Sequence, residues 1–348
     1  MSHPPTGSHQ TTFKGESTLT RRRKTVSRTT VRTQLDQLRS TGRSAQQQDG
    51  YLNVHYTVVE PGERWTNIRD MHELYNGGHL IEAAIAHKEY YKNNLLLEPI
   101  EKYLSLITEH FGCGEGQLKG YPGDPEIELS LFRLSAATGN TGAFDLAQYF
   151  LTDEEILMEM NGNTHTTGKE KREAKARGCG RTHILNRGLI GHAVRAGYLL
   201  TAVADMLHLS AESGKVLPNA QAWSQTLHKL WVNMVDRKMY LTGGIGTMTQ
   251  WEGFGNDYFL PQGTDEGGCY AETCASIAFV MLAEQMLHLD LDSRYADVIE
   301  LCLYNTIMTA MSLDGKYFTY INQLASSGTD KNAREGWFWC ACCPPKST

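Results

Sequence analysis

From Leu35 onward the chain keeps returning to one pattern, apolar residues at helical spacing broken by glycine-rich loops, and that repetition limits what it can fold into. In His79-Leu-Ile-Glu-Ala-Ala-Ile-Ala-His87, Leu80, Ala83, Ala84 and His87 recur at i, i+3, i+4 and i+7, one stripe along a helix. Pro125 opens another helix in its first turn, and Ile127, Leu129, Leu131, Phe132 and Leu134 supply its apolar faces until Thr138-Gly139-Asn140 stops it. Residues 192–209, 221–237, 272–289 and 295–311 repeat the theme. Few stretches outside Tyr317 to Asn322 alternate as a strand would. The expectation is an all-α architecture in which neighbouring helices pack as hairpins.

At 348 residues the chain is long enough for one large core or two ordinary ones. A net charge of −6 and a pI of about 6.1 give no field that would draw in nucleic acid or an anionic membrane surface. No apolar run approaches the ~20 residues of a membrane span, and the start lacks the apolar core of a secretory signal, so a soluble, cytoplasmic protein is expected. Residues 1–34 differ from the rest: Ser, Thr, Pro and basic residues dominate, Arg21-Arg-Arg-Lys24 stands at the centre, and Glu16 is the only acid. That composition predicts a disordered basic leader, or a misplaced gene start, because it offers little to bury. A mitochondrial transit peptide would need an amphipathic helix, for which apolar residues are too sparse. Residues 169–177 carry mixed charge, which reads as a solvated helix face or else an active-site lid.

The chemistry-bearing feature lies at the far end. Trp337-Phe-Trp-Cys340-Ala-Cys342-Cys343-Pro-Pro345 places three cysteines within four positions, and Glu272-Thr-Cys274 stands upstream. Thiolates with a carboxylate suit a tetrahedral zinc ion. Adjacent cysteines lack the Cys-x-x-Cys finger spacing, so a cluster of buried thiols stays open as the other reading. Eight cysteines, unevenly placed, do not look like a disulfide scaffold. Gly243-Gly-Ile-Gly246 follows no strand of a βαβ unit and lacks the last glycine of a dinucleotide fingerprint.

Five motifs occur in an order that resembles glycoside hydrolase family 127, whose type activity is β-L-arabinofuranosidase: Tyr121-Pro-Gly-Asp-Pro-Glu-Ile-Glu-Leu129, Gly191-His-Ala-Val-Arg-Ala196, Arg237-Lys-Met-Tyr-Leu-Thr-Gly-Gly-Ile-Gly246, Ala271-Glu-Thr-Cys-Ala275 and Cys340-Ala-Cys-Cys-Pro-Pro345. The resemblance implies an (α/α)6 barrel of the six-hairpin glycosidase type with little β structure. In that family the barrel begins well before the first matched segment and β-sandwich domains follow the last. Residues 35–348 are therefore expected to be a partial catalytic domain.

The resemblance also implies site residues. Cys342 looks like the nucleophile of a retaining glycosidase, with Glu272, Cys274, Cys342 and Cys343 as zinc ligands and Cys340 outside that set. Glu252, in Trp251-Glu-Gly-Phe254, resembles the acid/base glutamate, although a few extra residues between Gly263 and Cys269 separate it from Glu272. His79 and His192 match positions lining the sugar pocket. Asp124 stands where the family reads Pro-Gly-His-Pro, and an ionised carboxylate cannot donate, so either substrate preference differs or catalysis is lost. Trp65, Tyr121, Trp251 and Trp337 are candidates for stacking on a sugar face or for plain burial. The implied partner is an L-arabinofuranoside-like carbohydrate. Two other functions compete with the hydrolase: a catalytically inactive truncated remnant that binds sugar or zinc, and a zinc- or thiol-redox protein.

Overall fold

The computed structural model describes residues 15–25, 29, 47–152, 184–185, 188–189, 191–249, 252–263 and 269–325. The mixed-charge run 169–177, Trp251, Trp337, Cys340, Cys342 and Cys343 lie outside the described residues. The chain divides into two compact units. One comprises residues 1–43, 190–197 and 229–348, and the other residues 44–189 and 198–228; they are called here the first and second unit.

In the second unit, α2 (Glu73–Tyr91), α3 (Leu97–His110), α4 (Ile127–Thr138) and α5 (Thr141–Thr152) follow in sequence. Helix α2 packs on both α3 and α4, and α4 on α5. A two-residue antiparallel ladder, β1 (Ile184–Leu185) with β2 (Gly188–Leu189), follows. Helices α6 (Ala193–Ser213) and α7 (Ala220–Arg237) each contribute residues to both units. In the first unit, α8 (Thr273–Leu289) packs on α9 (Ser293–Cys302), which continues as a π-helical turn, Leu303–Ile307. Apart from the short ladder and isolated bridges, the described secondary structure is helical, as the periodicity predicts.

Burial alternates from helix to helix. Every residue from 120 to 132 is buried, and α6 and α8 are nearly as enclosed, as helices of an inner layer must be. Helix α5 buries Phe144, Ala147 and Leu151 on one face, α7 buries Leu227, Leu230, Trp231 and Met234, and α9 buries Tyr295, Val298 and Cys302. Each unit thus packs an enclosed helix against a one-faced one, α4 on α5 and α8 on α9. Fully enclosing side chains such as Phe132, Phe150 or Phe279 stabilises the fold by roughly 1.5–3 kcal/mol each.

Helix α2 departs from the expected stripe. Leu80 is 42% exposed and Ala83 also faces out, whereas Leu74, Gly77, Gly78, Ile81, Ala84 and Ile85 are buried. The reason lies in the two glycines: a Cβ at 77 would stand 2.4 Å from the Tyr103 hydroxyl, and one at 78 would stand 2.9 Å from the backbone carbon of Glu126. Their missing side chains let α3 and the start of α4 come close, and they turn the buried face toward themselves.

Tyr317 to Asn322, read as a strand, instead contributes bridges of Phe318 to Met311 and Ile321 to Glu272. Within the basic N-terminal segment, α1 (Thr18–Thr25) is helical. The Thr20 N–H donates to Ser17 Oγ at 3.1 Å, the Ser17 N–H to Thr20 Oγ1 at 2.7 Å, and Arg22 Nη1 to the Ser312 carbonyl at 2.6 Å. Reciprocal capping of this kind starts a helix without much apolar surface.

Candidate active site

In the first unit, a tight loop presents Glu252. Thr247 N–H and Met248 N–H donate to the Gly253 carbonyl, and Gly253 N–H returns a bond to the Met248 carbonyl. On the other side, Ala193 N–H donates to the Glu252 carbonyl at 3.0 Å and Phe254 N–H to the Gly191 carbonyl at 2.9 Å. Held between these two stretches, Glu252 has φ of +53°, a left-handed conformation that non-glycine residues adopt at a cost. Downstream, the buried Lys238 donates to the Gly255 carbonyl at 2.7 Å and pairs with Asp257 at 3.1 Å, pinning the loop to the end of α7.

Three side chains converge on the Glu252 carboxylate. His192 Nε2 lies 2.9 Å from Oε2, and the hydroxyls of Tyr320 and Tyr270 donate to Oε1 at 3.2 and 3.4 Å. His192 Nδ1 accepts the Val194 N–H at 3.2 Å, so in the neutral ring the proton sits on Nε2 and points at Glu252. The His192 hydrogen bond holds the Glu252 carboxyl below the usual carboxylate range, with the tyrosine hydroxyls adding to it and burial opposing.

The same tyrosines lead to the start of α8. The Tyr320 carbonyl accepts the Thr273 N–H at 3.1 Å, and Tyr270 is two residues from Glu272. Glu272 is the N-cap residue of α8 and Cys274 lies in its first turn, 2% and 1% exposed. Glu272 and Cys274 thus lie two residues apart at the start of α8, both buried, and a carboxylate and a thiol are donor types that suit zinc. Among the described residues, no group of three or more His, Cys, Asp and Glu is placed to hold a metal. The remaining two expected ligands, Cys342 and Cys343, fall outside the described residues.

Two further histidine and carboxylate pairs belong to the second unit. His72, the N-cap residue of α2 at φ +56°, lies 3.3 Å from Asp124 through Nε2, and His79, two turns on, lies 2.9 Å from Glu126 through Nδ1. Tyr75 lies between them on α2, its ring centroid 5.6 Å from that of His72 and 4.6 Å from that of His79. Asp124, Glu126 and Glu128 are all buried. Burial and the neighbouring charges of Glu126 and Asp124 push the Glu128 carboxyl up to about 8.

Of the aromatic candidates, Trp65 packs in the core against Tyr51 and Phe111, with ring centroids 5.2 and 5.3 Å away, and Tyr121 is buried. Sequence reasoning did not single out Tyr270, Tyr320, His72 or Glu126. Tyr270 and Glu126 adjoin or lie within quoted motifs, but nothing in the sequence marks His72 or Tyr320. The Gly243–Gly246 segment forms a turn whose Gly243 carbonyl accepts from Ser276 Oγ and Cys302 Sγ, which is a structural seat against α8 and α9. Among the described residues, no helix is long and apolar enough to cross a membrane.

The chain is similar to known proteins of one family. The signature of the β-L-arabinofuranosidase, GH127 catalytic domain, matches residues 17–348. A non-reducing end β-L-arabinofuranosidase from Bifidobacterium longum is 37% identical over 323 residues, covering 86% of this chain and 47% of the relative. A solved GH127 β-L-arabinofuranosidase from Geobacillus stearothermophilus T6 superposes with a TM-score of 0.73 at 40% identity, over 86% of this chain and 48% of its own. A second solved GH127 β-arabinofuranosidase gives a TM-score of 0.70 at 33% identity, over 87% and 45%.

The layered helices are therefore those of the all-α, barrel-type glycosidase fold. The chain belongs to family GH127, and it spans about half the length of the relatives it matches.

Proposed function

We propose that the chain carries the catalytic groups of a retaining hydrolase for terminal β-L-arabinofuranosides. The observation that carries this reading is the Glu252 carboxylate, clamped by His192, Tyr270 and Tyr320 next to the α8 turn that bears Glu272 and Cys274. The relatives named above are β-arabinofuranosidases, which supports the substrate class.

In the proposed reaction the Cys342 thiolate attacks the anomeric carbon while Glu252 gives a proton to the departing glycosidic oxygen, and that C–O bond breaks. Glu252, now a carboxylate, takes a proton from a water molecule that attacks the same carbon, releasing the sugar and returning Cys342 as a thiolate. Glu272, Cys274, Cys342 and Cys343 would hold zinc, which keeps coordinated thiols deprotonated. In the resting site the His192 hydrogen bond favours the carboxylate form of Glu252, which suits the water-activating half. The protonating half then needs Glu252 to gain its proton when substrate replaces one of the hydroxyl donors. His79 is assigned a hydrogen bond to a sugar hydroxyl, His192, with both ring nitrogens engaged, acts on the sugar through the Glu252 carboxylate it holds, and Asp124, paired with His72, is assigned to substrate preference.

The test is hydrolysis of an aryl β-L-arabinofuranoside and of a disaccharide by the zinc-loaded chain, its Cys342→Ser variant and its Glu252→Gln variant. Cys342→Ser should abolish turnover of both substrates. Glu252→Gln should slow the disaccharide far more than the aryl glycoside, because only a poor leaving group needs protonation. A fully active Cys342→Ser protein that retains zinc ends the thiolate mechanism. Zinc and L-arabinose binding without any turnover identifies a binding protein, and disulfide cycling without either identifies a redox protein.

A further inference from the structure

Half-exposed His79 is tied to a carboxylate that is itself enclosed. Its Nδ1 lies 2.9 Å from Glu126 Oε1, with the Glu126 side chain 2% and the His79 side chain 36% exposed. A carboxylate only accepts, so the ring proton belongs on Nδ1 and the neutral ring keeps a lone pair on Nε2. Tyr75 meets the ring edge-on at 4.6 Å with planes 90° apart, and Tyr198 flanks it at 6.4 Å. Glu126 lies close against α2, where a Cβ on Gly78 would stand 2.6 Å from its Cγ. Among the described residues, Glu126 Oε2 is buried without a hydrogen-bond partner, and His79 is the partner of Oε1. His192 is built the other way round: its Nδ1 accepts a backbone N–H and its Nε2 faces Glu252.

We infer that Glu126 is a positioning residue that locks His79 in the Nδ1–H tautomer, so that His79 Nε2 receives a hydrogen bond from a sugar hydroxyl. This rests on the carbohydrate reading above for its ligand but not for its tautomer. A hydroxyl facing His79 acts as the donor, whereas His192 offers its proton to Glu252. Without an acceptor at 126, the imidazole is free to move its proton to Nε2, and the hydroxyl then meets a donor instead of a lone pair.

The experiment is an NMR measurement of the histidine side-chain nitrogens and carbons in the full chain at a pH where the ring is neutral, with His79→Asn used to assign the signal. Wild type should show the Nδ1–H signature. Glu126→Met, of similar length but without an acceptor, should show Nε2–H and bind L-arabinose roughly 10- to 100-fold more weakly. Glu126→Gln keeps an acceptor oxygen and should retain Nδ1–H and bind within about tenfold of wild type. An Nε2–H signature in wild type overturns the inference even where Glu126→Met does not fold, and so does Nε2–H in the Gln variant. Unchanged arabinose affinity in a folded Glu126→Met protein overturns it as well. The expected tautomers with no arabinose binding by wild type uphold the positioning by Glu126 and refute the carbohydrate reading instead.

Discussion

Glu73 opens α2, the helix that carries His79, and the residue is 1% exposed. It accepts the Tyr51 hydroxyl and, at 3.1 Å, the Trp65 N–H. Burial pushes it up to about 7, and the hydrogen bonds from Tyr51 and Trp65, then the Arg64 and His55 charges, only partly offset that. Raised in the folded state, this carboxyl favours folding below its unfolded value near 4.5, and the contribution is lost as pH rises to 7. The gap corresponds to about 3 kcal/mol. Replacing Glu73 by Gln removes the titration and keeps the shape. Urea unfolding should therefore show wild type losing about 3 kcal/mol more than Glu73→Gln between pH 4.5 and 8. Near pH 5, where the native carboxyl is protonated, the two should lie within about 1 kcal/mol. Glu128 titrates in both proteins and cancels in the difference. Parallel stability curves across this range would refute the assignment of a buried, protonated Glu73.

Other expectations follow from the site and its frame. Reduced, chelator-free chain should contain one zinc by elemental analysis, and Cys274→Ala should lose most of it; metal-free wild type would remove the zinc proposal. Gly78→Ala should destabilise the chain by roughly 1–3 kcal/mol, because the new Cβ meets the Glu126 backbone at 2.9 Å, and a melting temperature equal to wild type would show that α2 and α4 are not so closely fitted. Lys238→Met should leave the Glu252 loop without its buried anchor and lower turnover at unchanged zinc content; full activity would mean that the backbone bonds to residues 191–193 suffice.

Much of this molecule was legible from spacing alone. The helix ended by Gly139 at φ +75°, those near residues 220–237 and 273–289, and the all-α class all follow from local periodicity and from caps that act within a few residues. The GH127 motifs, read in order, named the family. What the sequence could not show was which side chains meet across the fold. Leu80 looked buried and is not, because the buried face of α2 is set by two glycines that fit Tyr103 and Glu126.

Glu252 was readable as a candidate, but its three partners come from residues 18, 60 and 68 positions away, and two of them are tyrosines with no local mark. His72 meets Asp124 and His79 meets Glu126 only because α2 packs on α4. Helical periodicity is a property of neighbours along the chain and survives in the string of letters. Tautomers, perturbed carboxyls and hydrogen-bond partners depend on distance in space and on exclusion of water, which only the tertiary structure decides.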